Sequence, residues 1–394
     1  MITRHAKPEE KGRIDELFSI AFEYPMEDGP VKPMEDDVHY WAAFTDSNEM
    51  MSCFTITDFQ QNFDGSGCKM GGIGGVATLP AYRRHGGIRS CFEHALPEMY
   101  KENYDLSYLY PFSTAYYRKF GYENCVQRYQ VVINLGLLKP NPTGGHFILA
   151  EQSRPLTDEI RAIDAVWEKE FNMMVRHDEG DYDWIKKTDP PKKQEYTYVC
   201  FDSGNHPVAY TTFRMQMQPD GRNLVCSRLA FLNTEGYNIL MSLFKSLAAD
   251  HALVKFQLPA LPAMEYLMPE WSLGAAHWEL VPAGMVRVIN VREIFRKAVY
   301  RGSGEALIAV SDPQIEENSG TWHVVFENGK AVNVELTEEE PEIAMKIETF
   351  SALICGVMPF SDAVRWMPGL RVLRETPDLE KIFYQKPQMI VDYF

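Results

Sequence analysis

The sequence predicts an α/β (α+β) protein of three consecutive domains, and three observations carry that prediction. First, over Gly75-Val-Ala-Thr-Leu-Pro-Ala-Tyr-Arg-Arg-His-Gly-Gly-Ile-Arg89 a strand runs through a proline-containing turn into an Arg/Gly-rich loop that opens a helix. Second, the order of elements around that junction recurs after the linker Pro140-Asn-Pro-Thr-Gly-Gly145. Third, from about Met285 the pattern changes to strand-like alternation around an Asn328-Gly329 turn.

In the first domain, residues 8–22 place Ile14, Leu17, Phe18 and Ala21 on one helical face, with Pro8 near the start. Tyr40–Phe44 and Met50–Thr57 read as strands joined by Asp46-Ser-Asn48, and a polar loop, Asp64-Gly65-Ser66-Gly67, leads to a third, Cys68–Thr78. Ile88, Phe92, Ala95 and Met99 share the face of the helix after the Arg/Gly loop. Leu106–Tyr110 is a strand, Thr114–Phe120 a short helix stopped by Gly121, and Gln127–Asn134 a further strand. In the second domain Asp158–Phe171 is a helix, Tyr196–Phe201 and Val208–Gln216 form a hairpin, and Arg222–Phe231 is a strand. Gly236–Ala249 is then a helix and Leu253–Leu258 a strand. In the third, Val286–Val291, Ala306–Ser311, Gly320–Glu327 and Lys330–Leu336 read as strands, and Glu342–Ile354 and Asp362–Met367 as helices.

At 394 residues the chain exceeds one ordinary core. Its 45% hydrophobic and 24% charged residues are those of a soluble globular protein. No apolar run reaches the length of a membrane helix, and the N-terminus shows no secretory h-region. Cys53, Cys68, Cys91, Cys125, Cys200, Cys226 and Cys355 are odd in number and scattered, with no C-x-x-C, so a reducing cytoplasm is expected and a disulfide framework or zinc cluster is not. No H-x-x-x-H pair suggests a helical metal site. The formal net charge of −16 argues against nucleic-acid or anionic-membrane partners.

The chemistry begins at the strand-to-helix junction. Such a junction aims backbone N–H groups at one point, with the positive end of the helix dipole behind them, which makes an anion cradle suited to a pyrophosphate. In the second copy, Leu232-Asn-Thr-Glu-Gly236 stands where the first has Tyr82-Arg-Arg-His-Gly-Gly87, and Glu235 would repel a phosphate. Gly72-Ile-Gly-Gly-Val-Ala77 formally matches a dinucleotide fingerprint, but its glycines run into a strand rather than opening a helix. Paired glycines in a strand mark a bulge or a close backbone approach, such as a cofactor lying alongside.

Arg83-Arg-His-Gly86 with Gly87 resembles the acetyl-CoA motif R/Q-x-x-G-x-G/A of the GCN5-related N-acetyltransferases (GNAT), departing at its last position, where Ile88 stands. Ser113-Thr-Ala-Tyr-Tyr-Arg-Lys-Phe-Gly-Tyr122 resembles that family's aromatic element after the penultimate strand. With a second, cofactor-less copy and a third α+β domain, the chain resembles the Eis-like (enhanced intracellular survival) branch of the family. The resemblance implies a catalytic GNAT domain at 1–140, a degenerate GNAT-like domain at 146–284 and a sterol-carrier-like domain at 285–394. It implies acetyl-CoA as co-substrate, no metal, and direct transfer of the acetyl group to a primary amine such as an aminoglycoside, polyamine or lysine side chain. Cofactor-binding roles then fall to Val76, Ala77 and Thr78 at a splayed strand, to Arg83, Arg84, His85, Gly86, Gly87, Ile88 and Arg89, and to Phe112 and Ser113. Tyr117 falls at the position of the acid that protonates the departing thiolate, with Tyr116 and Tyr122 as packing residues.

The resemblance also implies that the terminal carboxylate, on Phe394, is the general base, a role that desolvation would favour by raising its pKa. Relatives of this kind form hexamers. Cys91, a conceivable acyl carrier, lies on the helix behind the loop and reads as core. Glu23, Glu27, Asp28, Glu35, Asp36 and Asp37 form an acidic cluster near the first helix, with Glu23, Asp28 and Asp36 as candidate contacts for a cationic acceptor. Two other readings compete: a non-catalytic lipid- or partner-binding protein with a large apolar cavity in residues 286–394, and a peptidyl or aminoacyl transferase, whose need for an aminoacyl-tRNA partner the negative charge disfavours.

Overall fold

The computed structural model describes all residues except 27–28, 188, 261–263, 268–273 and 375. Its contacts divide the chain into two compact units, one of residues 1–126, 283–386 and 392–394, the other of residues 127–282 and 387–391.

The chain opens with β1 (Ile2–His5), α1 (Lys11–Phe22), β2 (Val38–Phe44), β3 (Met50–Phe63) and β4 (Ser66–Thr78). It continues with α2 (Gly87–Lys101), β5 (Leu106–Leu109), α3 (Thr114–Tyr117) and β6 (Glu123–Asn134). Strands β1 to β5 are neighbours in sequence order, antiparallel up to β4, while β5 returns parallel to β4 after the α2 crossover. β1 escaped sequence reading because four residues are too few to show a period. The loop expected at 64–67 is a two-residue turn: Phe63 pairs with Ser66, and Asp64 and Gly65 take φ of 50° and 82°, the Asp-Gly hairpin signature.

The period of two sorts β2 between two cores. Tyr40, Ala42 and Phe44 pack with Ile14 and Leu17 of α1, whereas Trp41 and Ala43 pack with Ile88, Cys91, Phe92, Ala95, Leu96 and Met99 of α2. The four residues expected on the inner face of α2 are all buried.

The second unit holds β7 (His146–Leu149), α4 (Thr157–Glu170), α5 (Asp183–Lys186), α6 (Pro190–Lys193), β8 (Glu195–Phe201), β9 (Pro207–Gln218) and β10 (Gly221–Phe231). There follow α7 (Thr234–Ser246), β11 (Leu253–Pro259) and β12 (Ala276–Val288), which leaves this unit at Ala283. Strands β7 to β10 form an antiparallel run, and β11 returns parallel to β10 after α7, the same plan as in the first sheet.

Each of these sheets is closed by a strand from outside its expected span. Residues Arg128–Asn134 of β6, expected in the first domain, pair antiparallel with β11. Met285–Val288 of β12, expected to open the third domain, pair antiparallel with β5. Both strands show an apolar alternation that satisfies either sheet, so hydrophobic pattern alone does not assign the partner.

The remainder of the first unit comprises α8 (Val291–Lys297), β13 (Gly304–Ser311), β14 (Gly320–Glu327), β15 (Lys330–Thr337) and β16 (Ile343–Lys346). It ends with α9 (Ile347–Ile354), α10 (Phe360–Trp366), β17 (Arg371–Val372) and α11 (Leu379–Ile382). Its five-stranded sheet has the order β15-β14-β13-β16-β17. Two expectations need correction here. Ile343–Lys346 is a strand parallel to β13, since Ile343 and Met345 alternate into the core ahead of the helix. Val291 starts a helix, because the Asn290 side chain accepts a hydrogen bond from the Glu293 N–H and caps it. This part is tied to the N-terminal sheet by Arg287–Asp312, 2.8 Å apart and fully buried, and by Lys297–Asp105 at 2.5 Å.

Candidate active site

The junction after β4 is built as an anion cradle. Pro80–Tyr82 form one tight turn, Arg84 takes φ of 67°, and Gly86 takes φ of 85° as the residue before α2. No side chain caps the α2 N-terminus, so its first N–H groups are left for an external acceptor. A Cβ on Gly87 would collide with the Ser52 side chain, whose hydroxyl bonds Thr78 at 2.9 Å, and this seats the loop against the end of β4. Arg83, Arg84, His85 and Arg89 are exposed around this point, while Gly87 and Ile88 are buried. The residues fit a diphosphate: uncapped N–H groups, a helix dipole and three exposed guanidinium groups.

Upstream of the cradle, β4 carries a bulge. Thr55 pairs with Gly74 but Cys53 with Ala77, so Phe54 faces both Gly75 and Val76. Only glycine suits position 75, which takes φ of 57° and where a Cβ would lie 2.5 Å from the Phe18 ring. On its other side β4 pairs with β5 only over Met70–Ile73, and then runs on to Thr78 without that partner. The strands therefore part at Gly74. Val76 and Thr78 are half-buried along this edge, whereas Ala77 points into the core under α1.

The chain's own end enters this opening. A Cβ on Gly74 would sit 2.8 Å from the carboxyl carbon of Phe394, and one on Gly72 would sit 2.7 Å from its ring. The Phe394 ring lies 5.3 Å from Phe59, 5.9 Å from Tyr108 and 5.6 Å from Tyr110. Tyr110 also stacks on Tyr393 at 4.7 Å and donates its hydroxyl to the Asp392 carbonyl at 2.5 Å. The close approach signalled by the glycines is thus made by the C-terminus. Phe59, Tyr108 and Tyr110 were not singled out by sequence reading. The glycine pairs in a strand and the aromatic tail were the available signals.

Tyr117 ends α3, which Ser113 caps by accepting from the Tyr116 N–H at 3.4 Å. Its ring is 2% exposed and stands edge-on to Phe112 at 5.2 Å and to Phe92 at 6.2 Å. Burial, with the neighbouring Tyr116 and Tyr122, pushes its phenol pKa up, so it holds its proton at neutral pH. Tyr122 is fully buried, bonded to the Ser107 hydroxyl at 2.7 Å, and Tyr116 packs on Phe120 at 5.4 Å. Phe112 is 72% exposed beside them.

Burial pushes the Cys91 thiol up to about 12, so it forms no nucleophilic thiolate near neutral pH. All seven cysteines are free. Glu23, Glu35, Asp36 and Asp37 are exposed, and Asp28 and Glu27 lie outside the described residues. Among the described residues no cluster of three His, Cys, Asp or Glu is arranged to hold a metal, and no helix is long and apolar enough to cross a membrane.

Comparison with known families matches residues 3–125 to the acetyltransferase (GNAT) domain and residues 291–385 to the sterol carrier protein domain. Comparison with curated proteins gives no match. Among solved structures, a probable N-acyltransferase from Enterococcus faecalis has 19% identity and a TM-score of 0.85, covering 100% of this chain and 99% of its own. A GCN5-related N-acetyltransferase from Anabaena variabilis has 17% identity and a TM-score of 0.84, with 100% of both chains covered. Eis1 from Mycobacterium abscessus has 16% identity and a TM-score of 0.78, again over 100% of both. At these identities the likeness is one of fold. The chain thus carries an acetyltransferase (GNAT) domain at residues 3–125 and a sterol carrier protein domain at residues 291–385. It shares the Eis-like fold along its whole length.

Proposed function

We propose that the protein transfers the acetyl group of acetyl-CoA directly to a primary amine, with the terminal carboxylate of Phe394 as general base and Tyr117 as general acid. The observation that carries this reading is the Phe394 carboxyl carbon against Gly74, where β4 and β5 part beside the anion cradle. In this reading Arg83, Arg84, Arg89 and the N–H groups of Gly87 and Ile88 bind the diphosphate of the donor. His85, Gly86, Phe112 and Ser113 flank it, and the edge Val76–Thr78 pairs with its pantetheine arm. The Phe394 carboxylate takes a proton from the amine as nitrogen bonds the thioester carbon. A backbone N–H of the splayed edge Val76–Thr78 stabilises the carbonyl oxygen as charge develops. Tyr117 delivers its proton to the sulfur as the carbon–sulfur bond breaks. The domains are then catalytic over 1–140, cofactor-less over 146–284 and sterol-carrier-like over 285–394. An aminoglycoside, polyamine or lysine acceptor, a cytoplasmic location and a hexamer complete the proposal, resting on the Eis-like resemblance, the seven free cysteines and the net charge of −16.

The test is release of free CoA thiol from acetyl-CoA across a panel of primary amines, by the full chain and by a chain ending at Tyr393. The proposal expects turnover by the first and a loss of about 100-fold or more in the second. Equal turnover in both would remove the carboxylate from the mechanism. One observation favours a further ligand-binding role: a cavity of about 910 Å³ lined by Met345, Met358, Trp366 and Met367, but also by Arg118, Glu123 and Glu348. A purified chain inert toward every amine, yet carrying a co-purified lipid, would favour that role alone.

A further inference from the structure

We infer that Lys386 is a positioning residue: a buried ion pair between Lys386 and Asp64 sets where the C-terminal strap starts and so delivers the Phe394 carboxylate to the opening beside Gly74. The inference rests on the reading of that carboxylate as the base.

Lysine is among the residues least often fully buried, and a buried ammonium needs partners. The side chain of Lys386 is 2% exposed, and that of Asp64 is 6% exposed. The Lys386 ammonium lies 2.5 Å from Asp64 Oδ2, donates to the Ile354 carbonyl at 3.1 Å, and stands 5.2 Å from the centre of the Phe63 ring. The backbone is fixed at the same point. The Lys386 N–H donates to the Gly356 carbonyl at 3.0 Å, and Gly356, at φ of 82°, has no room for a Cβ against the Lys386 stem. Asp64 is itself held: it occupies the β3–β4 turn, and its Oδ2 accepts the Val299 N–H at 2.9 Å.

The consequence is geometric. β4 leads from that turn to Gly74, and the strap leads from Lys386 to Phe394. The ion pair joins the two paths at their origins, and the Tyr110 hydroxyl with the Gly72–Gly74 surface receives the far end. Within the strap the Pro387 carbonyl accepts from the Asn172 N–H at 2.9 Å and the Met389 N–H donates to the Asn172 carbonyl at 3.0 Å, so the ion pair fixes where the strap starts and these bonds hold its middle. A buried pair of this kind is weak support for stability but apt for fixing register.

Two variants separate positioning from folding. Lys386→Met alone leaves Asp64 buried and unpaired, so it is combined with Asp64→Asn, which keeps an oxygen for the Val299 N–H and suits the positive φ of 50°. Lys386→Arg keeps the charge. In the double variant the expected result is a fall in kcat of about 10- to 100-fold with the KM for acetyl-CoA within about twofold. Release of Phe394 by a carboxypeptidase should be faster, the thermal transition should persist, and Lys386→Arg should recover much of kcat. In a chain ending at Tyr393 the double variant should change the residual rate little. Wild-type kcat and wild-type resistance to carboxypeptidase in the double variant would overturn the inference, even where truncation abolishes activity. Full activity in the truncated chain would instead overturn the reading of the carboxylate.

Discussion

Tyr117 shows how one residue is tuned by what surrounds it. A phenol in water already holds its proton at neutral pH; packed between Phe92, Phe112 and its tyrosine neighbours it holds it more firmly. That keeps the proposed general acid protonated at neutral pH while making its phenol a weaker proton donor to a departing thiolate. Tyr117→Phe preserves the ring packing and removes the proton. Its kcat for a primary amine should fall about 100-fold, with folding and acetyl-CoA binding unchanged. Sequence reading singled out Tyr117 through the family resemblance of residues 113–122, and the chain buries it at the end of α3. Phe59 and Tyr110 were not singled out, since their roles depend on the arrival of the chain's end from far along the sequence.

At the scale of elements, β4 carries most of the account. Its paired glycines were legible as a bulge or close approach, and the structure separates the two meanings. Gly75 makes the bulge, while Gly72 and Gly74 admit Phe394. Gly74→Ala places a methyl 2.8 Å from the carboxyl carbon and must push it out of the opening. The expected result is a fall in kcat of about 100-fold without loss of acetyl-CoA affinity. The start of α2 makes the complementary prediction. Arg83→Ala combined with Arg84→Ala should raise the KM for acetyl-CoA about 10-fold or more, leave kcat within a few-fold, and weaken the dependence of KM on salt. The element boundaries misread from sequence have local causes. A two-residue Asp64-Gly65 turn hides in a polar run, and a four-residue strand, Ile343–Lys346, runs directly into a helix whose apolar residues continue its pattern.

For the whole molecule, the tandem plan was legible and the exchange of closing strands was not. Helix crossovers leave a local sequence pattern, but β6 and β12 take partners that are far away in the chain. The second sheet keeps a buried carboxyl with no assigned chemistry. Asp164 accepts from Tyr210 at 2.8 Å and from Tyr182 at 3.1 Å, and burial raises its pKa from 3.8 to about 6. Between those values the folded chain binds more protons than the unfolded one, so this group's contribution falls as pH rises through that window. The cost by pH 7 is about 3 kcal/mol. Asp164→Asn retains an acceptor and does not ionise. Relative to wild type it should therefore gain stability between pH 4 and pH 7 in denaturant titrations, and parallel pH profiles would show that the carboxyl ionises freely when folded.

The central claim is that the molecule ends in its own catalytic base, and replacing that carboxylate by an amide tests it most directly. Semisynthesis of the chain with a C-terminal Phe394 amide keeps the ring against Gly72, Phe59 and Tyr108 and removes only the proton acceptor. The account predicts wild-type acetyl-CoA binding and a kcat for a primary amine lowered about 100-fold or more at neutral pH. An amidated chain that turns over at the wild-type rate would contradict it.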